Sequence, residues 1–151
     1  MAEVKTDSSR YPSHPVQVRS ARHHAEQVLR DWGVGDSTTD AVVYVACELA
    51  SNAVRHACTS QGREFGLTLR LLENIVRVEV RDPDPTLPAD IAQEEDLEAD
   101  GGRGLLIVDR LASSWGSAPE VLGKTIWADI PLEIAAAGAD RTAPLCAEGT
   151  S

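Results

Sequence analysis

The spacing of apolar residues changes period between residues 57 and 64, and this restricts the fold more than any other feature. Before it, Val18, Ala21, Ala25, Val28, Leu29 and Trp32 recur at helical spacing. Gly33 and Gly35 end that helix. Ser37 with Asp40 resembles a capping box with Asp in place of Glu, and a second helix runs to about Ala57. Its apolar stripe holds Val42, Val45, Ala46, Leu49 and Ala53. After the change the pattern alternates: Phe65, Leu67, Leu69 and Leu71 face inward, and Glu64, Thr68 and Arg70 outward. Glu73–Asn74 makes a tight turn. The return run sets Val76, Val78 and Val80 against Arg77, Glu79 and Arg81. These two runs predict a β-hairpin.

Residues 83–100 hold prolines and then the acidic stretch 93–98, which reads as a loop. Gly101-Gly102-Arg103-Gly104 follows, and Leu105 to Val108 with Leu111 begins a short buried helix. Two more strands are expected near 113–118 and 123–131, with a turn around Pro119–Glu120. Helix, helix, hairpin, loop, helix, hairpin is the order of an α+β chain. The expected fold is a two-layer sandwich, with a mixed, mostly antiparallel sheet and helices on one face. The expected organisation is a flexible N-terminus over 1–10, with at most a short first strand, one domain over 11–132, and a disordered tail over 133–151.

A chain of 151 residues suits one domain. Aromatic residues are only 4% of it, so Leu, Val, Ile and Ala must fill the core. The net charge of -10 repels polyanions and argues against direct binding to nucleic acid or anionic membrane. Cys47, Cys58 and Cys146 show no metal-like spacing, and reduced thiols are the simpler reading. The start lacks an apolar signal region, and no apolar run approaches the roughly 18 residues of a membrane span. The expected location is the cytoplasm.

Three features carry chemistry. Asp82 shares the strand face of Val76, Val78 and Val80, so a carboxylate stands at the edge of the core and needs a donor. It also leads a proline turn, where Asp is common. Glu48 and Asn52 lie one helical turn apart: the carboxylate can act as a base, and the amide oxygen can ligate Mg²⁺. An ordinary solvated helix face has the same pattern. Gly102-Arg103-Gly104 before a helix lets backbone N–H groups approach a phosphate, with Arg103 able to pair with its oxygens. It is neither a Walker A loop nor a dinucleotide fingerprint, and a plain linker reads the same way. His14, His23 and His24 read as surface residues. Trp32, Trp115 and Trp127 read as packing residues.

In chain order these segments are E-L-A-S-N-A-V-R-H-A, V-R-V-E-V-R-D, G-R-G-L-L-I-V and G-K-T-I-W. The set resembles the N box, G1 box, G2 box and final strand of the GHKL (Bergerat-fold) ATPases. It is most similar to the single-domain anti-sigma regulatory serine kinases in their short actinobacterial form, over residues 11–132. The resemblance implies a histidine kinase-like ATP-binding domain that uses ATP and Mg²⁺. It implies Glu48 as general base, Asn52 as Mg²⁺ ligand, and Arg55 (followed by His56) near phosphate. Asp82 would accept from the adenine amine, with Gly102, Arg103 and Gly104 by the phosphates. Thr125 would support the adenine side, and 89–101 would be the ATP lid. One departure stands out: the D-x-G-x-G of the G1 box reads Asp82-Pro83-Asp84-Pro85, where proline fixes φ in place of a glycine hinge.

The function this implies is transcription regulation by a protein serine/threonine kinase. It would phosphorylate an anti-anti-sigma partner, would hold a sigma factor, and could form a homodimer. A second reading is a non-catalytic nucleotide-binding or protein-docking module, which the altered G1 box favours. A detached histidine-kinase catalytic domain is a third, disfavoured because no phosphoacceptor helix pair precedes the first helix.

Overall fold

A computed structural model of the chain describes residues 4–56, 63–83, 100–120 and 123–132. The elements, in order, are β1 (Lys5–Pro12), α1 (Pro15–Asp31), α2 (Asp36–His56), β2 (Glu64–Leu71), β3 (Ile75–Asp82), α3 (Asp100–Leu111), β4 (Ser114–Glu120) and β5 (Gly123–Pro131). The five strands form one sheet in the order β1-β2-β3-β5-β4. Every pairing is antiparallel, so the mostly antiparallel sheet expected from sequence is antiparallel throughout its described part. The α+β class follows from this sheet and the three described helices.

Strand alternation decides which face is covered. Phe65, Leu67 and Leu69 on β2, Val76, Val78 and Val80 on β3, and Ile126, Ala128 and Ile130 on β5 are all buried together. The register joins them into rows, such as Leu69–Val78–Ala128. Onto this surface α2 lays Val42, Val45, Ala46, Leu49 and Ala53, and α1 adds Ala25, Val28 and Leu29. Each large aliphatic side chain so buried contributes about 1.5–3 kcal/mol of transfer free energy. The opposite face is polar. There Arg70 pairs with Glu79 at 3.0 Å, and Arg77 grips Asp129 through two bonds of 2.6 and 2.9 Å while lying 4.6 Å from the Trp127 ring.

Helix boundaries have local causes. His14 caps α1, its Nδ1 accepting from the Val16 amide, and Pro15 takes the first helical position, where its missing N–H costs nothing. The end of α1 is a Schellman motif: Gly33 donates to the Arg30 carbonyl and Val34 to Leu29, with Gly33 at φ 78°. Helix α2 starts at Asp36, so Ser37 stands inside the first turn and not before it. There Asp36 complements the helix dipole.

Three expectations need correction. Residues 5–10 are not a flexible terminus, because β1 pairs with β2 from Lys5↔Leu71 to Pro12↔Glu64. The apolar period that announces a strand is missing there. Tyr11 alone anchors the apolar side, stacked 5.4 Å from Phe65, while His24 of α1 holds Asp7 at 2.6 Å. The second concerns the Leu105–Val108 run. Its helix starts earlier, at Asp100, and helical spacing buries Val108 while leaving Leu106 52% exposed. Pro119 lies within β4, not in a turn; an edge strand tolerates proline because its outer N–H has no ladder partner. The tail expected over 133–151 lies outside the described residues.

Candidate nucleotide site

Asp82 is the last residue of β3, on the helix-covered face, and its side chain is fully buried. Antiparallel pairing sets Lys124 of β5 directly opposite. Lys124 is also fully buried, and its Nζ donates to Asp82 Oδ2 at 3.2 Å. A carboxylate in such a place must have a donor, and the chain supplies one. Gly123 makes the approach possible. At φ 147° it lies so close to β3 that an added Cβ would stand 2.2 Å from the Asp82 carbonyl oxygen.

On α2, Glu48 is half-buried and Asn52 is buried. The Arg55 guanidinium, three residues on, donates to Asn52 Oδ1. The neighbouring Cys47 thiol is pushed up from its ordinary pKa. Burial is the main cause; the Arg22 charge opposes it, and the Glu48 and Glu26 charges add to it. Cys47 is therefore held as a neutral thiol.

Gly102, Arg103 and Gly104 lie in the first turns of α3, which packs against α2. The sequence placed them before a helix; the structure places them inside its N-terminal part. The expected lid is outside the described residues up to position 99.

The structure separates one expected site residue from the others. Thr125 was expected on the adenine side, but it pairs with Arg81 and faces the open side of the sheet, where its hydroxyl donates to Glu120 at 2.8 Å. One step along a strand reverses the face, so the β5 residue beside Asp82 is Lys124. The signal was available, because Lys124, Ile126, Ala128 and Ile130 alternate onto the apolar face. Among the described residues, a cleft of about 410 Å³ between α1 and α2 is lined by Arg19, Arg22 and the expected site residue Arg55, and one of about 430 Å³ on the open face by Arg10, Arg81 and Thr125.

The donor set fits Mg²⁺ and ATP chemically. Asn52 Oδ1 and Asp82 Oδ2 are buried acceptors that each hold a cationic N–H donor of the chain. A metal ion at the first and an exocyclic amine at the second are partners of the same polarity. Among the described residues no group of three His, Cys, Asp or Glu could hold a metal.

Comparison with known proteins agrees with this architecture. Residues 11–129 match the family described as Histidine kinase-like ATPase domain. No curated protein matches the chain. Among solved structures, the SiaB–SiaC complex from Pseudomonas aeruginosa is similar with a TM-score of 0.61 and 15% identity, over 82% of this chain and 88% of that one. The structure of the RsbU and RsbW domains of Rv1364c from Mycobacterium tuberculosis gives a TM-score of 0.61 and 18% identity, over 85% of this chain. This chain spans 32% of that longer one. The antiparallel sheet covered by α1, α2 and α3, with a carboxylate closing β3 and an amide on α2, therefore has a family: the chain belongs to the histidine kinase-like ATPases, the GHKL group.

Proposed function

We infer that the domain binds Mg·ATP and acts as a partner-switching serine kinase of the anti-sigma type. The observation that carries this reading is the buried acceptor pair, Asp82 at the end of β3 and Asn52 on α2, in a chain of the ATPase family. Asp82 would accept from the adenine amine, and Asn52 would ligate Mg²⁺. Arg55, freed from Asn52, would pair with phosphate oxygens beside Arg103 and the backbone of Gly102 and Gly104. Bound ATP would supply the γ-phosphoryl group, and Glu48 would accept the proton of the serine hydroxyl that takes it up, with ADP as the leaving group. The substrate would be an anti-anti-sigma protein, and the same domain would hold a sigma factor in the cytoplasm. The two similar structures support a role among partner modules, since one is a complex of SiaB with SiaC and the other holds RsbU and RsbW domains of Rv1364c.

The test is calorimetric titration of ATP with and without Mg²⁺, followed by γ-phosphate transfer to a cognate partner. Binding should weaken in Asp82→Asn and lose its Mg²⁺ dependence in Asn52→Ala, and transfer should fail in Glu48→Ala. Undiminished transfer by Glu48→Ala would remove the general-base role. A second reading, a docking module without phosphoryl transfer, is favoured by the internal cations that already satisfy Asn52 and Asp82. ATP binding with no transfer to any partner would support it.

A further inference from the structure

Strand alternation puts Arg10, Arg70, Arg77 and Arg81 on the open face of the sheet. Arg70 holds Glu79 at 3.0 Å, and Arg77 holds Asp129 at 2.6 Å. Arg10 and Arg81 are exposed, and among the described residues neither has a carboxylate within ion-pair distance. The register sets these two in one row, through Arg10↔Gly66, Gly66↔Arg81 and Arg81↔Thr125. Two strand spacings, about 10 Å, part their backbones, and the residue between them has no side chain. Glycine weakens a strand interior, and its usual reasons there are a bulge, a bend or a close approach. No local reason applies to Gly66. Its pairing follows the register of its neighbours, its φ is not positive, and an added Cβ would meet nothing nearer than Arg81 Cβ at 3.6 Å. The missing side chain leaves the floor of the cleft of about 430 Å³ that both arginines line.

We propose that this cleft binds a phosphate group, held over Gly66 between the Arg10 and Arg81 guanidiniums. A guanidinium presents parallel N–H donors that match two oxygens of a phosphate, and a second guanidinium from the other side matches a dianion. Both side chains are long enough to lean over β2, and at Gly66 nothing stands between them. Hydroxyls complete the donor set. Ser8 Oγ and Thr68 Oγ1 are 3.0 Å apart, so one donates to the other and one O–H remains for a ligand. The nearby carboxylates are engaged, Glu79 by Arg70 and Glu120 by the Thr125 hydroxyl. In a chain of net charge -10, two neighbouring arginines without carboxylates reverse the local sign, and an anion relieves their repulsion. Inorganic phosphate and the phosphate of a small monoester share this chemistry. Arg81 and Asp82 are consecutive in β3, so the cleft lies on the opposite face from Asp82 and is independent of the nucleotide reading.

The experiment titrates inorganic phosphate and methyl phosphate into the ¹⁵N-labelled full chain at constant ionic strength, with chloride as the reference anion. The amide signals of Gly66, Thr68 and Arg81 should shift and saturate. Arg10→Gln and Arg81→Gln should each weaken binding about tenfold. Gly66→Val separates the site from the fold. A β-branched side chain suits a strand, so this variant should unfold at a temperature no lower than the wild type and yet lose phosphate binding. Asn52→Ala should bind phosphate as the wild type does, so this site and the nucleotide site can fail separately. Preference for methyl phosphate assigns the group to an ester and preference for inorganic phosphate to the free ion; either supports the site. Three results overturn the proposal: shifts confined to amides around Arg55 and Arg103, arginine variants that bind as tightly as the wild type, or a folded Gly66→Val that does so. A change in sedimentation mass in Arg10→Gln or Arg81→Gln also overturns it, because the pair then belongs to an interface between copies of the chain.

Discussion

Lys124 and Asp82 show how one residue step along a strand assigns chemistry. Because each is buried against the other, removal of one partner takes away the ion pair that offsets burial of the remaining charge. Asp82→Leu alone should destabilise the fold by about 3–5 kcal/mol in urea unfolding, whereas Asp82→Leu/Lys124→Met should come within about 1 kcal/mol of wild type. Equal losses in both would show that packing, not charge, sets the cost. Cys47 yields a pH prediction. Burial raises its folded pKa above the ordinary thiol value, so the stability this contributes is present below the ordinary value and declines as pH rises through the folded one. In a Cys58→Ser/Cys146→Ser background, alkylation of Cys47 should be much slower than that of a free thiol at pH 7.5 in the folded state. It should reach the free-thiol rate in denaturant.

At the scale of elements, two positive-φ glycines have different reasons. Gly33 has nothing within 4 Å of an added Cβ, so Gly33→Ala should cost only the conformational penalty of about 1 kcal/mol. Gly123 is confined by the Asp82 and Pro83 backbone, and Gly123→Ala should cost about 3 kcal/mol or more by pushing β5 away from β3. Comparison of the two variants by thermal unfolding checks this difference. It also separates what was legible in the sequence. The α1 stop at Gly33 follows from local spacing, but the need for Gly123 comes from a strand over 40 positions away. The same holds for β1, whose polar alternation looks like loop until β2 supplies its ladder.

For the whole molecule, the strand order places β3 centrally, between β2 and β5, with β1 and β4 at the edges. Amides of β3 and β5 that bond to each other should be the last to exchange with deuterium, and those of β4 among the first of the sheet. Early loss of protection in β3 would contradict the order. Among the described residues no helix is long and apolar enough to cross a membrane.

The sequence by itself determined the two helices, the β2–β3 hairpin, the face on which Val76, Val78 and Val80 lie, and the position of Asp82 on that face. Each of these depends on periods of two or 3.6 residues, which are local properties of the chain. It also held the order of motifs that leads to the ATPase family. Only the tertiary structure decided which donor meets Asp82, that Arg55 reaches Asn52, that Thr125 turns away, and that residues 5–10 form a strand. These outcomes depend on register between segments far apart in the chain, and a shift of one residue there exchanges Lys124 for Thr125 beside the same carboxylate.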